Sequence, residues 1–180
     1  INKVYEVIEA KNIFNTPYKK IEILIHPKSY VHAIVKFNSG LIKIIAHETT
    51  MKIPIFNTLS FNTNHKFQSK NINIKILNNL NFEKVNLIRY PMVKLLSLLP
   101  NKHSLFETII VSANDTLVEI FLNKKIHFND IQKKLFDIIK LKEFSKYKNI
   151  SPSNVKDILK LNNYVRLKLL KKVYKSYDDH

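Results

Sequence analysis

Cysteine is absent from the 180 residues, which excludes disulfides, thiolate zinc sites and cysteine nucleophiles. Tryptophan is absent as well, and glycine occurs once, at Gly40. A dinucleotide fingerprint or a phosphate loop needs two or three closely spaced glycines, so this chain can build neither. Acidic residues are few, 14 against 30 basic ones, and the formal charge is +16. Arginine is nearly missing from that excess, because only Arg89 and Arg166 accompany 28 lysines. Bidentate phosphate and base-edge contacts favour arginine, so the charge does not by itself indicate a nucleic-acid interface. With 25 Ile and 21 Asn beside the lysines, the bias reads as AT-rich codon usage spread over every surface. Long apolar runs are missing too. A segment such as Leu95-Leu96-Ser97-Leu98-Leu99 falls far short of the ~20 residues of a membrane span. No signal or transit segment is recognisable. The first residue is Ile1, with a helical pattern already under way, which leads us to expect a piece of a longer polypeptide.

What is present starts with residues 1–10. At about 100° per residue, Ile1, Val4, Tyr5 and Ile8 gather on one helical face and Asn2, Lys3, Glu6 and Glu9 on the other. The polar face joins an amide, a cation and a carboxylate at a helix start, where free N–H groups favour anions. It could hold a phosphate and a metal together, although solvated Lys/Glu faces of this kind are common. Asn15-Thr16-Pro17 breaks the helix, and residues 21–25 read as a strand ended by His26-Pro27. Residues 30–37 and 41–47 form a predicted hairpin about Asn38-Ser39-Gly40, with Gly40 supplying a positive φ. Residues 49–60, with Met51 and Pro54, predict a short helix. Residues 61–70 are a polar linker and residues 71–76 a short alternating strand. Beyond Tyr90 the pattern is helical: 91–99, a long apolar helix capped by Ser104 and running to about Asn123, another opened by Asn129-Asp130 and ending near Phe144, and a final pair over about 154–177 broken at Asn162-Asn163.

Few of these residues form a chemical signature on local grounds. His26 and His32 are six apart across a loop-to-strand boundary, poor spacing for a metal pair. Met51 reads as ordinary core. Asn114-Asp115 interrupts an apolar stripe, where it could cap, bridge helices or face another part of the chain.

Three pieces taken in order carry more: Asn2-Lys3-x-x-Glu6-x-Ile8-Glu9-Ala10, Ile25-His26-Pro27-x-Ser29-x-x-His32, and Met51-x-x-Pro54-Ile55. Their order and spacing resemble the second half of the 1-deoxy-D-xylulose 5-phosphate reductoisomerase family. Arg89-Tyr90-Pro91 and Ser112-Ala113-Asn114-Asp115 resemble that family's C-terminal helical region. The resemblance implies an α+β chain: part of a catalytic and dimerising domain with a hairpin-containing sheet (1–60), a linker with a short strand (61–86), and an all-α helical bundle (87–180).

It also implies a function, the NADPH-dependent conversion of 1-deoxy-D-xylulose 5-phosphate to 2-C-methyl-D-erythritol 4-phosphate in non-mevalonate isoprenoid synthesis. A divalent ion, Mg²⁺ or Mn²⁺, assists that reaction. The implied roles are Asn2, Lys3, Glu6 and Ser29 at the phosphorylated sugar, Glu6 as metal ligand, and Glu6 and His32 as catalytic residues. Met51 would lie near the nicotinamide. The partners implied are the sugar phosphate and, at full length, a second copy joined through residues 30–47, with neither nucleic acid nor membrane. The setting is a bacterial cytoplasm or a plastid. The chain alone is expected to be inactive. Departures from the family pattern are Val4 for a glycine, Thr50 for an aspartate, Asp115 for a glutamate, and the missing tryptophan. Two other readings stand beside this one: a basic nucleic-acid-binding module and a diverged, non-catalytic dimerising remnant.

Overall fold

The structure is a computed structural model that describes residues 1–60, 67–71 and 73–178, the side chains of 174–178 excepted. Most of the expected linker, residues 61–66, and Ile72 of the expected strand lie outside the described residues. The fold is α+β, with two small antiparallel pairs of strands and a helical C-terminal region. It divides into two compact units, Ile1–Glu22 with Asn86–His180, and Ile23–Val85. The opening helix therefore groups with the C-terminal helices, whereas sequence alone had joined it to the hairpin.

The first unit holds α1 (Asn2–Ile13), α4 (Phe106–Leu122), α5 (Phe128–Ile139), the short α6 (Lys142–Ser145) and α7 (Val155–Asp178). Its centre is α4, where Phe106, Ile109, Ile110, Ala113 and Leu117 are all inaccessible to solvent or nearly so. Apart from Leu122 at its last position, only a stripe at four-residue spacing, Val111, Asp115 and Glu119, stays exposed along the helix. α7 faces α4 with Leu161, Val165, Leu169 and Val173, again four apart, as one helical face requires. α7 is continuous through Asn162-Asn163, so the expected break is absent. Tertiary burial of that four-residue stripe outweighs the weak helix propensity of two asparagines. Asn154 caps α7, its Oδ1 accepting from the Asp157 N–H at 3.2 Å, and Asp157 accepts in turn from the Ser153 N–H. Residues 91–98 form 3₁₀ turns rather than an α-helix, with Pro91 opening them and Leu95 buried beneath.

The second unit contains β1 (Leu24–Ile25), β2 (Val31–Lys36), β3 (Ile42–Ala46), α2 (Lys52–Leu59), α3 (Ile74–Leu77) and β4 (Glu83–Lys84). β2 and β3 form the expected hairpin, and Gly40 does take a positive φ of 87°. β1 pairs with β4, a contact across about sixty residues that no local pattern announces. His26 supports it by donating from Nδ1 to the Asn81 carbonyl at 3.0 Å and tilting against Phe82. Where alternation predicts a strand over 71–76, the structure has the one-turn helix α3. The physical reason is Asn73, whose side chain accepts from the Ile76 N–H and offers the backbone a helical turn.

Candidate functional site

Candidate residues lie in both units, and each group is described with its own geometry. On α1, Val4, Val7 and Ile8 are buried, which fixes the rotation of the helix. Val4, the departure from the family's glycine, is fully buried and so anchors the helix start instead of crowding it. The opposite face, Asn2, Lys3, Glu6 and Glu9, is exposed as its phase dictates. Lys3 Nζ lies 2.6 Å from Glu6 Oε2, with both side chains more than half exposed. An open Lys–Glu pair can exchange partners readily, the ammonium toward a phosphate and the carboxylate toward a hard cation. The first turn of α1 has no acidic residue to oppose an anion at its free N–H groups.

Behind that face lies an arrangement that local reading missed. Lys11 and Glu107 are both about nine-tenths buried, 3.8 Å apart, and Tyr18 donates its hydroxyl to Glu107 at 2.8 Å. A charge so far removed from water needs such partners, and here they join α1, the turn after it and α4. Burial first, then the hydrogen bond and the negative charge of Glu107, push the Tyr18 phenol well above its ordinary range. The Tyr5 hydroxyl is buried without a partner among the described residues. Burial raises its phenol strongly, Asp115 adds to the shift, and the nearby Asn114 amide opposes it. Among these, only Tyr5, Asn114 and Asp115 belong to stretches the sequence had singled out. A lysine at helical spacing gives no sign of burial until its partner, nearly a hundred residues away, is known.

In the second unit, Ser29 sits in a turn closed by its N–H to the His26 carbonyl, at a left-handed φ of 50°. His32 is on β2, exposed, and its ring stacks on His47. Met51 precedes α2 and is 66% exposed, so it is not the core residue that composition suggests. Thus α1 brings Asn2, Lys3 and Glu6 together, and the second unit supplies Ser29, His32 and Met51 from consecutive segments.

Among the described residues no three His, Asp or Glu side chains converge to hold a metal. Glu6 is suited to contribute one hard oxygen ligand, fewer than Mg²⁺ or Mn²⁺ requires.

The DXP reductoisomerase C-terminal domain profile matches residues 47–168. The 1-deoxy-D-xylulose 5-phosphate reductoisomerase of Pelagibacter ubique (strain HTCC1062) is 60% identical over 169 residues, 94% of this chain and 44% of that protein. The same enzyme of Buchnera aphidicola subsp. Schizaphis graminum (strain Sg) is 32% identical over 173 residues, 96% of this chain and 42% of that protein. Among solved structures, the reductoisomerase from Zymomonas mobilis in complex with NADPH superposes with a TM-score of 0.78 at 27% identity, over 96% of this chain and 44% of that one. A DOX-P reductoisomerase in complex with NADPH, fosmidomycin and magnesium gives 0.82 at 25% identity, over 96% and 43%. The chain spans less than half the length of these relatives.

Proposed function

The chain belongs to the DXP reductoisomerase family, and from that membership we propose that it is the C-terminal part of an enzyme converting 1-deoxy-D-xylulose 5-phosphate to 2-C-methyl-D-erythritol 4-phosphate. NADPH, which the two similar structures hold, would be the reductant, and magnesium, held by one of them, or manganese the assisting ion. The observation that carries the reading is the exposed Asn2–Lys3–Glu6 face of α1, on a helix whose rotation is set by buried Val4 and Ile8.

In this reading Lys3 meets phosphate or hydroxyl oxygens as a point charge, and Asn2 donates as a neutral amide. Glu6 gives one carboxylate to a metal site completed by groups outside these 180 residues. The bound ion supplies polarisation of the sugar's carbonyl and hydroxyl oxygens. His32 and Ser29 form a wall near the substrate, and Met51 offers an apolar contact to the nicotinamide. The division into a catalytic-domain remainder (1–60), a linker (61–86) and a bundle (87–180) belongs to this reading. So does self-association of the complete polypeptide through β2–β3, whose Ile42, Ile44 and Ile45 are half exposed. No helix among the described residues is long and apolar enough to cross a membrane. The bacterial relatives support a bacterial cytoplasm as the setting, with a plastid as the alternative.

The test has two parts. The 180-residue chain, given substrate, NADPH and Mn²⁺, should oxidise no NADPH. A chimera in which it replaces the matched 44% of the Pelagibacter ubique enzyme should turn over and lose at least 100-fold on Glu6→Gln. A chimera that folds and binds NADPH without turnover would sink the reading.

A further inference from the structure

His32 owes its placement to an irregularity in the hairpin. Val31 pairs with Ala46 and Ala33 with Ile45, so two steps on β2 oppose one on β3 and His32 is the extra residue. A bulge of this kind re-aims the side chain it carries. The imidazole of His32 lies face to face on that of His47, with centroids 3.6 Å apart and planes within 6°. His47 is held in turn by three contacts of its own. Its N–H donates to the Tyr30 carbonyl at 3.1 Å, its Nδ1 to the Glu48 carbonyl at 2.6 Å, and its own carbonyl lies 3.4 Å from His32 Nε2. A carbonyl can only accept, so these contacts define the protons: Nδ1–H on His47 and Nε2–H on His32. The lone pair of neutral His32 is then on Nδ1. Two parallel stacked rings cannot direct lone pairs at one ion, so the pair is not a chelate.

We propose that His47 is a positioning residue for His32: its ring fixes the plane of the His32 imidazole, and its carbonyl selects the tautomer. This rests on His32 serving the reductoisomerase reaction, and it assigns a role to a residue that no motif in the sequence marks. The geometry is nested. Glu48 orients His47, and His47 orients His32, through backbone groups of a hairpin whose register the bulge sets.

Two measurements test it. In the 180-residue chain at pH 8, above the ordinary histidine range, the His32 ring protons should resonate upfield through the facing ring, and its ¹⁵N shifts should report the Nε2–H form. His47→Ala should abolish the upfield shift, and His47→Phe should retain it. In the chimera, His47→Ala should lower kcat about tenfold while KM changes by less than about threefold, and His47→Phe should restore kcat to within about threefold. An unchanged kcat in His47→Ala, or a His47→Phe variant as impaired as the alanine one, overturns the positioning role. Absence of the upfield shift overturns the stack itself. A chimera in which His32→Ala is harmless would instead remove His32 from the reaction, and the role of His47 with it, while the ring signature persists. That pattern identifies failure of the functional reading and not of the stack.

Discussion

The two units treat apolar residues in opposite ways. Every buried residue among those described lies in 1–22 or 86–173, and none lies in 23–85. Yet the second unit is rich in isoleucine, valine and phenylalanine, and its hairpin exposes Ile34, Val35, Phe37, Ile42, Ile44 and Ile45, each by 40% or more. A lone two-stranded hairpin is marginal in water, because it buries too little surface to offset the ordering of its backbone. The helical unit closes a core within this chain, whereas the hairpin unit carries apolar faces that none of its described residues covers. The difference fits a chain spanning less than half the length of its relatives. It also means that the first unit is held by a core of its own, whereas stability in the second depends little on its exposed apolar side chains.

Substitutions can break that contrast. The largest effect should come from Phe106→Ala in the core of α4, at about 4 kcal/mol in a denaturant titration. Next is Lys11→Met, at about 3 kcal/mol, because it leaves the Glu107 carboxylate buried with Tyr18 as its remaining partner. A loss below about 1 kcal/mol would mean that water reaches the pair. In the hairpin, Ile44→Ala should change stability by no more than about 0.5 kcal/mol, since its side chain is already half in water. A loss as large as that of Phe106→Ala would erase the distinction between the units. Hydrogen exchange gives an independent view: amides of β2 and β3 should exchange orders of magnitude faster than those of α4.

The smallest effect concerns Glu143, which accepts from the Tyr164 hydroxyl at 2.7 Å and pairs with Lys168. The hydrogen bond from Lys168, then that from Tyr164, hold its carboxyl below the usual range. A lowered folded value stabilises the protein above the ordinary 4.5 and ceases to do so as the pH falls through the folded value. Tyr164 and Lys168 are raised, so their contribution is present below about 10 and fades at more alkaline pH. Glu143→Gln should therefore cost about 0.3 kcal/mol at pH 7, after solvent screening, and progressively less as the pH falls through the lowered folded value.

How much of this was legible depended on whether the signal was local. The phase of α1 could be read from Val4 and Ile8, and the hairpin from alternation around Gly40, because side-chain period and turn chemistry act within a few residues. α3 was misread because alternation over 71–76 is short and a single Asn73 side chain decided the outcome. The pairing of β1 with β4 and the burial of Lys11 depend on partners far along the chain, where no window reaches. For the site, the ordered motifs singled out Asn2, Lys3, Glu6 and His32, while His47 carried no pattern and became visible only through its ring contact.

The contact between Tyr18 and Glu107 also orders events in time. The two residues are 89 positions apart, with the whole of the second unit between them. Synthesis at roughly 5–20 residues per second leaves α1 without α4 for about 5–18 s after it is made. The helix that bears Asn2, Lys3 and Glu6 is thus translated well before the segment that seats it. During that interval the buried anchors Val4 and Ile8 lack the α4 core, and Lys11 lacks the carboxylate that holds it.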